Sequence, residues 1–134
     1  MNPSEKAEVA NLKVMLRAIE KGASVSKPIV EGTRYDLIVD HLGKLYRAQV
    51  KYTASHQKNG VVAVRLHSGS YGKTRFRCYT AREIDVVLAY VPKLDAVLWI
   101  EPECFEGKTG LNFRSGETGR KHIQGCRNAE DYIW

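Results

Sequence analysis

Three polar residues near the middle of the chain have the types and spacing that a hydrolytic metal site needs. Asp36 lies in the segment YDLIVD, and Gln49 and Lys51 stand two apart in LYRAQVKYT. Carboxylate and amide oxygens are hard ligands of the kind that Mg²⁺ prefers. A bound ion polarises a phosphate and lowers the pKa of its water, while an ammonium group offsets charge that develops on the phosphate. This set of side chains suits hydrolysis of a phosphodiester bond.

A hairpin would bring the three side chains together. We predict strands over residues 35–40 and 45–53, joined by a tight Leu-Gly turn. With a loop of two or four residues at that turn, Asp36 faces Gln49 across the hairpin, and their Cβ atoms lie about 5 Å apart. Lys51 shares the face of Gln49 because alternate residues of a strand point the same way. A loop with an odd number of residues would break this register.

A second acid is expected because one carboxylate is a thin ligand set for Mg²⁺. We predict a helix over residues 2–22, and Glu8 lies four and seven residues before Leu12 and Met15, on its inward apolar stripe. A core-facing acid is costly unless a metal or a cation pairs with it. Glu5 is the nearest alternative, and complementation of the helix dipole is the ordinary explanation of either acid. The predicted stripe comprises Val9, Leu12, Met15, Leu16 and Ile19.

Basic and small polar side chains are concentrated in residues 56–77. We predict that residues 61–66 and 74–79 form a basic two-stranded ribbon, which fits the major groove of DNA, where arginine reads guanine edges. The alternative is a solvated hairpin whose charges block edge pairing. The expected DNA contacts are Lys58, Arg65, His67, Ser68, Ser70, Tyr71, Lys73, Arg75 and Arg77.

Composition and charge agree with a small protein that meets a polyanion. The chain has 134 residues and a net charge of +6, which fits one domain over residues 1–134 and favours nucleic acid as the partner. No apolar run approaches the roughly 20 residues of a membrane span, and the N-terminus lacks a secretion pattern. We therefore expect a soluble, cytoplasmic protein with no membrane contact. The three widely spaced cysteines indicate neither a disulfide framework nor a zinc site.

The remaining pattern predicts an α+β fold. Residues 24–30, 83–90 and 96–100 resemble strands, and a Gly-rich tail holds a further strand near residues 111–113. We expect a mixed, mostly antiparallel sheet with the first helix packed against it. Asp85, inside an otherwise apolar strand, is expected to be a buried, hydrogen-bonded structural acid.

These motifs resemble a known nuclease core. The run RYDLIVD over residues 34–40, then Gly43-Lys44 and Gln49-Val50-Lys51, is similar to the PD-(D/E)XK core. It resembles more narrowly the group I intron-encoded homing endonucleases of cyanobacteria, which carry a helical Glu, an RYDLVVD strand and a QVK strand. The downstream segments over residues 84–92, 99–102 and 125–132 are similar to later parts of that family, so the likeness covers most of the chain.

The resemblance implies a restriction-endonuclease-like core, with a central mixed sheet flanked by helices and an extra basic hairpin. It implies site-specific cleavage of double-stranded DNA with Mg²⁺, or Mn²⁺ as the alternative ion, by a homodimer or homotetramer. By motif, Asp36, Gln49, Val50 and Glu8 become metal ligands, and Lys51 becomes the catalytic lysine. Gln49 stands where the wider superfamily has Asp or Glu, which weakens metal binding.

Other interpretations of the same motif stay open. A Holliday-junction resolvase shares the core motif but reads DNA shape, and a DNA-binding module that has lost catalysis would keep the fold alone. Without the resemblance, an exposed surface ion pair explains Asp36 and Lys51 equally well.

Overall fold

A computed structural model describes residues 1–53, 56–57, 60–68, 77–115 and 125–134 of the chain. Within these ranges the α-helices are α1, Pro3–Glu20, and α2, Pro102–Phe105, and the 3₁₀ helices are Pro92–Leu94 and Ala129–Tyr132. The strands, β1 to β11 in chain order, are Ser24–Ser26, Leu37–His41, Lys44–Tyr52, His56–Gln57, Val61–Arg65, His67–Ser68, Arg77–Cys78, Val86–Val91, Ala96–Ile100, Gly110–Arg114 and Cys126–Asn128.

The strands of the described ranges form a central five-stranded sheet and a four-stranded sheet, besides the short pair β6–β7. The central sheet has the order β1-β2-β3-β8-β9, and β3 and β8 run parallel while the other neighbours are antiparallel. The four-stranded sheet has the order β11-β10-β5-β4. The predicted α+β class and the mixed, mostly antiparallel sheet are confirmed.

The hairpin β2–β3 has the predicted register. Ile38 faces Arg47 and Asp40 faces Leu45. Leu42 and Gly43 have φ values of 52° and 79°, as a two-residue hairpin turn with two left-handed residues requires. The even-length loop is therefore confirmed, and it fixes which residues of β3 share a face.

Helix α1 begins with a reciprocal cap. The Asn2 side chain accepts the Glu5 N–H at 2.8 Å, and the Glu5 carboxylate accepts the Asn2 N–H at 2.9 Å, with Pro3 in the first turn. The predicted start of the helix is confirmed, and Glu5 is engaged in the cap. No described helix is both long and apolar enough to cross a membrane.

The predicted inward face of α1 is right for Val9 and Met15, which pack against the core, and wrong for Leu12, Leu16 and Ile19. The helix packs on the central sheet through Ala10, Val14 and Ala18, which are buried, while Leu12 and Leu16 are each 55% exposed. Small residues at every fourth position let the helix lie close to the strands, and the longer leucines at the neighbouring positions point away. The exposed stripe is completed by Ile19 at 68%.

Two hydrophobic cores lie on the two faces of the central sheet. The first, under α1, includes Leu37, Val39, Ala48, Val50 and Leu88. The second lies against the four-stranded sheet and includes Val62, Val64, Val87, Ile100, Phe105 and Phe113. Strand β8 is buried along its whole length, as expected of a parallel strand covered on both faces.

The predicted ribbon is wrong in its pairing. Strand β5 lies between β4 and β10 in the four-stranded sheet, and within the described ranges β7 pairs with β6. Val61, Val62 and Val64 of β5 are buried, so this strand must cover a core and cannot serve as one arm of a solvated ribbon. The length and loop of the basic hairpin lie largely outside the described residues.

Candidate active site

The candidate site lies where β2 begins and β3 passes through the middle of the central sheet. The Asp36 N–H donates to the Ala48 carbonyl at 2.8 Å, which extends the hairpin pairing just ahead of β2. Ala48 and Val50 of β3 belong to the core under α1. Because side chains alternate along a strand, Gln49 and Lys51 lie on the opposite face.

Asp36 and Gln49 are in direct contact, as the register predicted. Asp36 Oδ2 accepts the Gln49 side-chain amide at 2.8 Å and the Val50 backbone N–H at 2.9 Å. Burial raises the pKa of Asp36, and the Val50 hydrogen bond and the charge of Lys51 act in the opposite direction. The carboxylate is thus half-withdrawn from water and fixed in one orientation.

The Gln49 amide bridges two oxygens. Its nitrogen, Nε2, donates to Asp36 Oδ2 and lies 3.3 Å from the Val50 carbonyl oxygen. Both oxygens therefore point at one position, which an electropositive group occupies. A small cation at the same position would meet the same two oxygens.

Lys51 lies over an aromatic ring beside this pair. Its Nζ is 4.9 Å from the ring centroid of Tyr79. Burial lowers the pKa of Lys51 to about 8, with Arg65 and Arg34 acting in the same direction and Asp36 opposing them. The ammonium group is held in a partly dry site, next to one carboxylate and among other cations.

Basic side chains surround the site. The Arg34 guanidinium lies 4.5 Å from the Tyr79 centroid, and the Arg65 Nε–H donates to His67 Nε2 at 3.2 Å. Burial, followed by the charges of Arg65 and Lys51, lowers the pKa of His67. The predicted DNA contacts Arg65 and His67 therefore lie in the electrostatic field of the site.

Glu83 ties two arginines to the edge of the site. Its Oε2 accepts Arg77 at 2.7 Å and forms an ion pair with Arg34 Nε at 3.0 Å. Arg34 also donates to the Cys78 carbonyl at 3.0 Å. Arg77, a predicted DNA contact, keeps a side chain that is 68% exposed, so its outer face remains accessible.

Several predicted DNA contacts cannot be located in the described part of the chain. Ser68 lies in β6, paired with Arg77. The other predicted contacts in this group lie outside the described residues: Lys58, Ser70, Tyr71, Lys73 and Arg75.

Glu8 does not have the predicted core-facing position. Its side chain is 56% exposed and forms an ion pair with Lys27 at 3.8 Å, because the helix turns Ala10, Val14 and Ala18 toward the sheet. Among the described residues there is no group of three or more His, Cys, Asp or Glu side chains that could hold a metal ion. Asp36 is the acid that contacts Gln49 and Val50 at the candidate site.

Neither the role of Tyr79 nor the placement of Arg34 was predicted from the sequence. The signal for Arg34 was its spacing within RYDLIVD. An arginine two residues before an acid places both side chains on one side of an extended chain. Tyr79 carried no local signal, because its contacts with Lys51 and Arg34 join distant parts of the chain.

Comparisons with known proteins bear on the fold and the family of the chain. The structure resembles that of a bacterial homing endonuclease, I-Ssp6803I, with a TM-score of 0.80 and 22% sequence identity over 99% of this chain and 89% of that chain. A comparison with curated proteins found no match. The sequence profile of the PD-(D/E)XK endonuclease family matches residues 1–133. The predicted resemblance to the PD-(D/E)XK core is thereby confirmed, and the chain belongs to the PD-(D/E)XK endonuclease family, whose members are DNA-cutting hydrolases.

Proposed function

We propose that the protein is a metal-dependent endonuclease that cleaves double-stranded DNA at specific sites, as a homing endonuclease does. One observation carries the proposal: Asp36 Oδ2 and the Val50 carbonyl converge on one position beside Lys51. The basic surroundings of that position fit a phosphate group. The resemblance to the bacterial homing endonuclease supports the narrower assignment.

The residues present fit a weakly held divalent ion. Asp36, the Val50 carbonyl and the side-chain oxygen of Gln49, once its amide has turned, would supply three hard oxygens, and Mg²⁺ accepts such a set when water completes its shell. Mn²⁺ is the alternative ion. When bound, the ion would polarise the phosphate and lower the pKa of a water molecule. With only one carboxylate in the set, we expect the DNA phosphate to complete the site.

Lys51 contributes a positive charge at the reacting phosphate. With a pKa of about 8, its amine is mostly protonated at neutral pH. An ammonium group in this position can orient the attacking water or stabilise charge that develops on the phosphate oxygens. Because the site is partly buried, the electrostatic interaction of this charge with the phosphate is stronger than it would be in water.

We propose Glu8 as a fourth catalytic residue, beside Asp36, Gln49 and Lys51. Its carboxylate is paired with Lys27 at 3.8 Å, an exposed contact of the kind that contributes little to stability. Recruitment to a metal would require Glu8 to exchange Lys27 for the ion. A Glu8→Gln variant that cleaves at the wild-type rate would remove it from the site.

We propose that DNA cleavage requires a homodimer or homotetramer. One small domain covers few base pairs, and symmetric association supplies two half-sites and two cutting centres. The exposed apolar stripe of Leu12, Leu16 and Ile19 on α1 supports association, since such a stripe is unusual on a monomer surface. Sedimentation of wild type against Leu12→Gln/Leu16→Gln tests whether this face is used.

The decisive experiment offers the protein three kinds of DNA with Mg²⁺. Cleavage of a linear duplex library at one sequence supports the proposed function. Cleavage of four-way junctions regardless of sequence would support a Holliday-junction resolvase. Binding without any cleavage, unchanged in Asp36→Asn, would support a DNA-binding module without catalysis.

A further inference from the structure

We propose that Tyr79 is a positioning residue for the cleavage reaction, because its ring holds the ammonium group of Lys51 beside Asp36. The inference rests on the proposed function of Lys51. It adds a residue that no motif of the sequence indicates.

The ring of Tyr79 is itself firmly placed. Tyr79 is 2% exposed and belongs to the core between the two sheets. It directly follows β7, whose Cys78 carbonyl accepts the Arg34 guanidinium at 3.0 Å. Arg34 also lies over the same ring, at 4.5 Å. Core packing and the arginine therefore fix the platform on which Lys51 rests.

An aromatic platform has a property that a carboxylate lacks. The face of a ring attracts a cation through its quadrupole, whereas a carboxylate accepts the N–H groups of the ammonium. Lys51 has three N–H donors, and the ring can hold the charge without engaging them in strong hydrogen bonds. The donors stay available for a phosphate oxygen or a water molecule.

The alternative explanation is that Tyr79 only fills the core. A purely structural role predicts that loss of the ring changes stability and leaves the geometry of Lys51 intact. A positioning role predicts that the lysine loses its orientation even when the fold persists. Ring-keeping and ring-removing variants separate the two.

The first test compares Tyr79→Leu, Tyr79→Phe and the matched control Phe105→Leu, which removes another buried ring of the same core. In single-turnover cleavage with saturating Mg²⁺, Tyr79→Leu should lower the maximal rate by roughly tenfold to a hundredfold, as loss of orientation does. Its affinity for DNA should change little. Tyr79→Phe should restore most of the rate, and Phe105→Leu should lose stability without this loss of rate.

The second test measures the environment of the Lys51 side chain and does not depend on cleavage. In ¹H–¹³C spectra, the ε-methylene protons of Lys51 should be shifted upfield by the ring and resolved from each other in wild type and in Tyr79→Phe. In Tyr79→Leu they should collapse to the shift of a mobile lysine, and in Phe105→Leu they should match wild type.

Three results would overturn the inference. They are an unshifted Lys51 methylene in wild type, the same spectrum in Tyr79→Leu as in wild type, and equal losses of rate in Tyr79→Phe and Tyr79→Leu, which would assign the effect to the hydroxyl. If wild type cleaves no DNA at all, the proposed function fails, while the spectra still decide whether Tyr79 positions Lys51.

Discussion

The side-chain amide of Gln49 donates to Asp36 Oδ2 over 2.8 Å, and the same nitrogen lies 3.3 Å from the Val50 carbonyl oxygen. An internal donor thus lies between the two oxygens that we propose as metal ligands. If a metal ion binds as proposed, it would displace this nitrogen and gain one carboxylate ligand, Asp36.

Metal affinity should therefore respond to Gln49. Gln49→Glu adds a second carboxylate and should bind Mg²⁺ roughly tenfold more tightly in the absence of DNA, because each added charge strengthens a hard-oxygen site. Calorimetry of wild type should show little binding, and the control Asp40→Asn, an exposed acid of β2, should match wild type. Tight binding of Mg²⁺ by wild type in the absence of DNA would indicate an additional carboxylate at the site.

Removal of Lys51 should abolish most cleavage. Lys51→Ala should lower the rate by roughly a hundredfold or more, in line with the loss of a group that stabilises transition-state charge. Lys44→Ala is the matched control, because Lys44 lies over Tyr46 at 5.0 Å on the exposed end of the same strand. Circular dichroism should show both variants folded. A Lys51→Ala enzyme that keeps more than about a tenth of the rate contradicts the role.

The lowered pKa of Lys51 should make stability depend on pH. The folded protein releases the proton near pH 8, whereas the unfolded chain keeps it until about 10.5. Between these values the unfolded state binds more protons, so the free energy of unfolding should rise with pH across this window. Urea unfolding of metal-free wild type and Lys51→Met at several pH values isolates this contribution. A difference between the two proteins that stays constant from pH 8 to 10.5 would contradict the lowered pKa.

Cleavage should weaken over the same range. Charged Lys51 is lost as the pH rises through about 8, so the rate should fall above that value at saturating Mg²⁺. Conversion of Lys51 to Arg, which stays charged, should move the decline to higher pH if the variant retains activity.

Asp85 should matter for stability and not for chemistry. Its carboxylate accepts the Arg47 backbone N–H at 2.8 Å and two guanidinium N–H groups at 3.0 Å each. Asp85→Asn should lower the free energy of unfolding by about 1–3 kcal/mol, as loss of charged hydrogen bonds does. The side-chain hydrogen bond from Arg47 lowers the pKa of Asp85, so this stabilisation should be present above about pH 4 and lost on further acidification. At neutral pH, Asp85→Asn should cleave DNA at the wild-type rate.

Replacement of arginines and replacement of lysines should affect DNA binding in different ways. If Arg75 and Arg77 contact base edges, their replacement by alanine should cost about 1–3 kcal/mol at particular base pairs and relax specificity there. Lys58→Ala and Lys73→Ala should weaken binding to all sequences and reduce its salt dependence, as phosphate contacts do. Binding to a panel of single-base variants at two salt concentrations distinguishes the patterns. Uniform losses for both arginine variants would move specificity elsewhere, such as to residues 114–121.

The site could be predicted from sequence where the determinants are local. The turn at Leu42 and Gly43 fixes the register of a hairpin, and that register alone puts Asp36 opposite Gln49. The face of α1 could not be predicted by the same reasoning. Its leucines are more hydrophobic than Ala10 and Ala18, but the distance to the sheet selects the small residues, and that distance is a property of the assembled fold.

Contacts between distant segments were the other limit. The pairing of β5 with β10 joins residues nearly fifty positions apart, and alternation within β5 cannot reveal its partner. The Tyr79 platform has the same origin, since Lys51 reaches it from β3 and Arg34 reaches it from the segment that precedes β2. Hydrophobic periodicity and turn residues report on neighbours along the chain. The β5–β10 pairing and the contacts of Tyr79 depend instead on the topology of the fold.

The alternation of β3 also bears on how this gene region can change in length. Ala48 and Val50 complete the core under α1, and Gln49 and Lys51 carry the proposed chemistry. Inserting or deleting one codon ahead of Ala48 would turn Lys51 toward the core and an apolar side chain toward the face that carries the proposed active site. A library of single-codon insertions and deletions should therefore lose folding and cleavage together throughout this strand, which would make the length of β3 as constrained as the identity of Lys51.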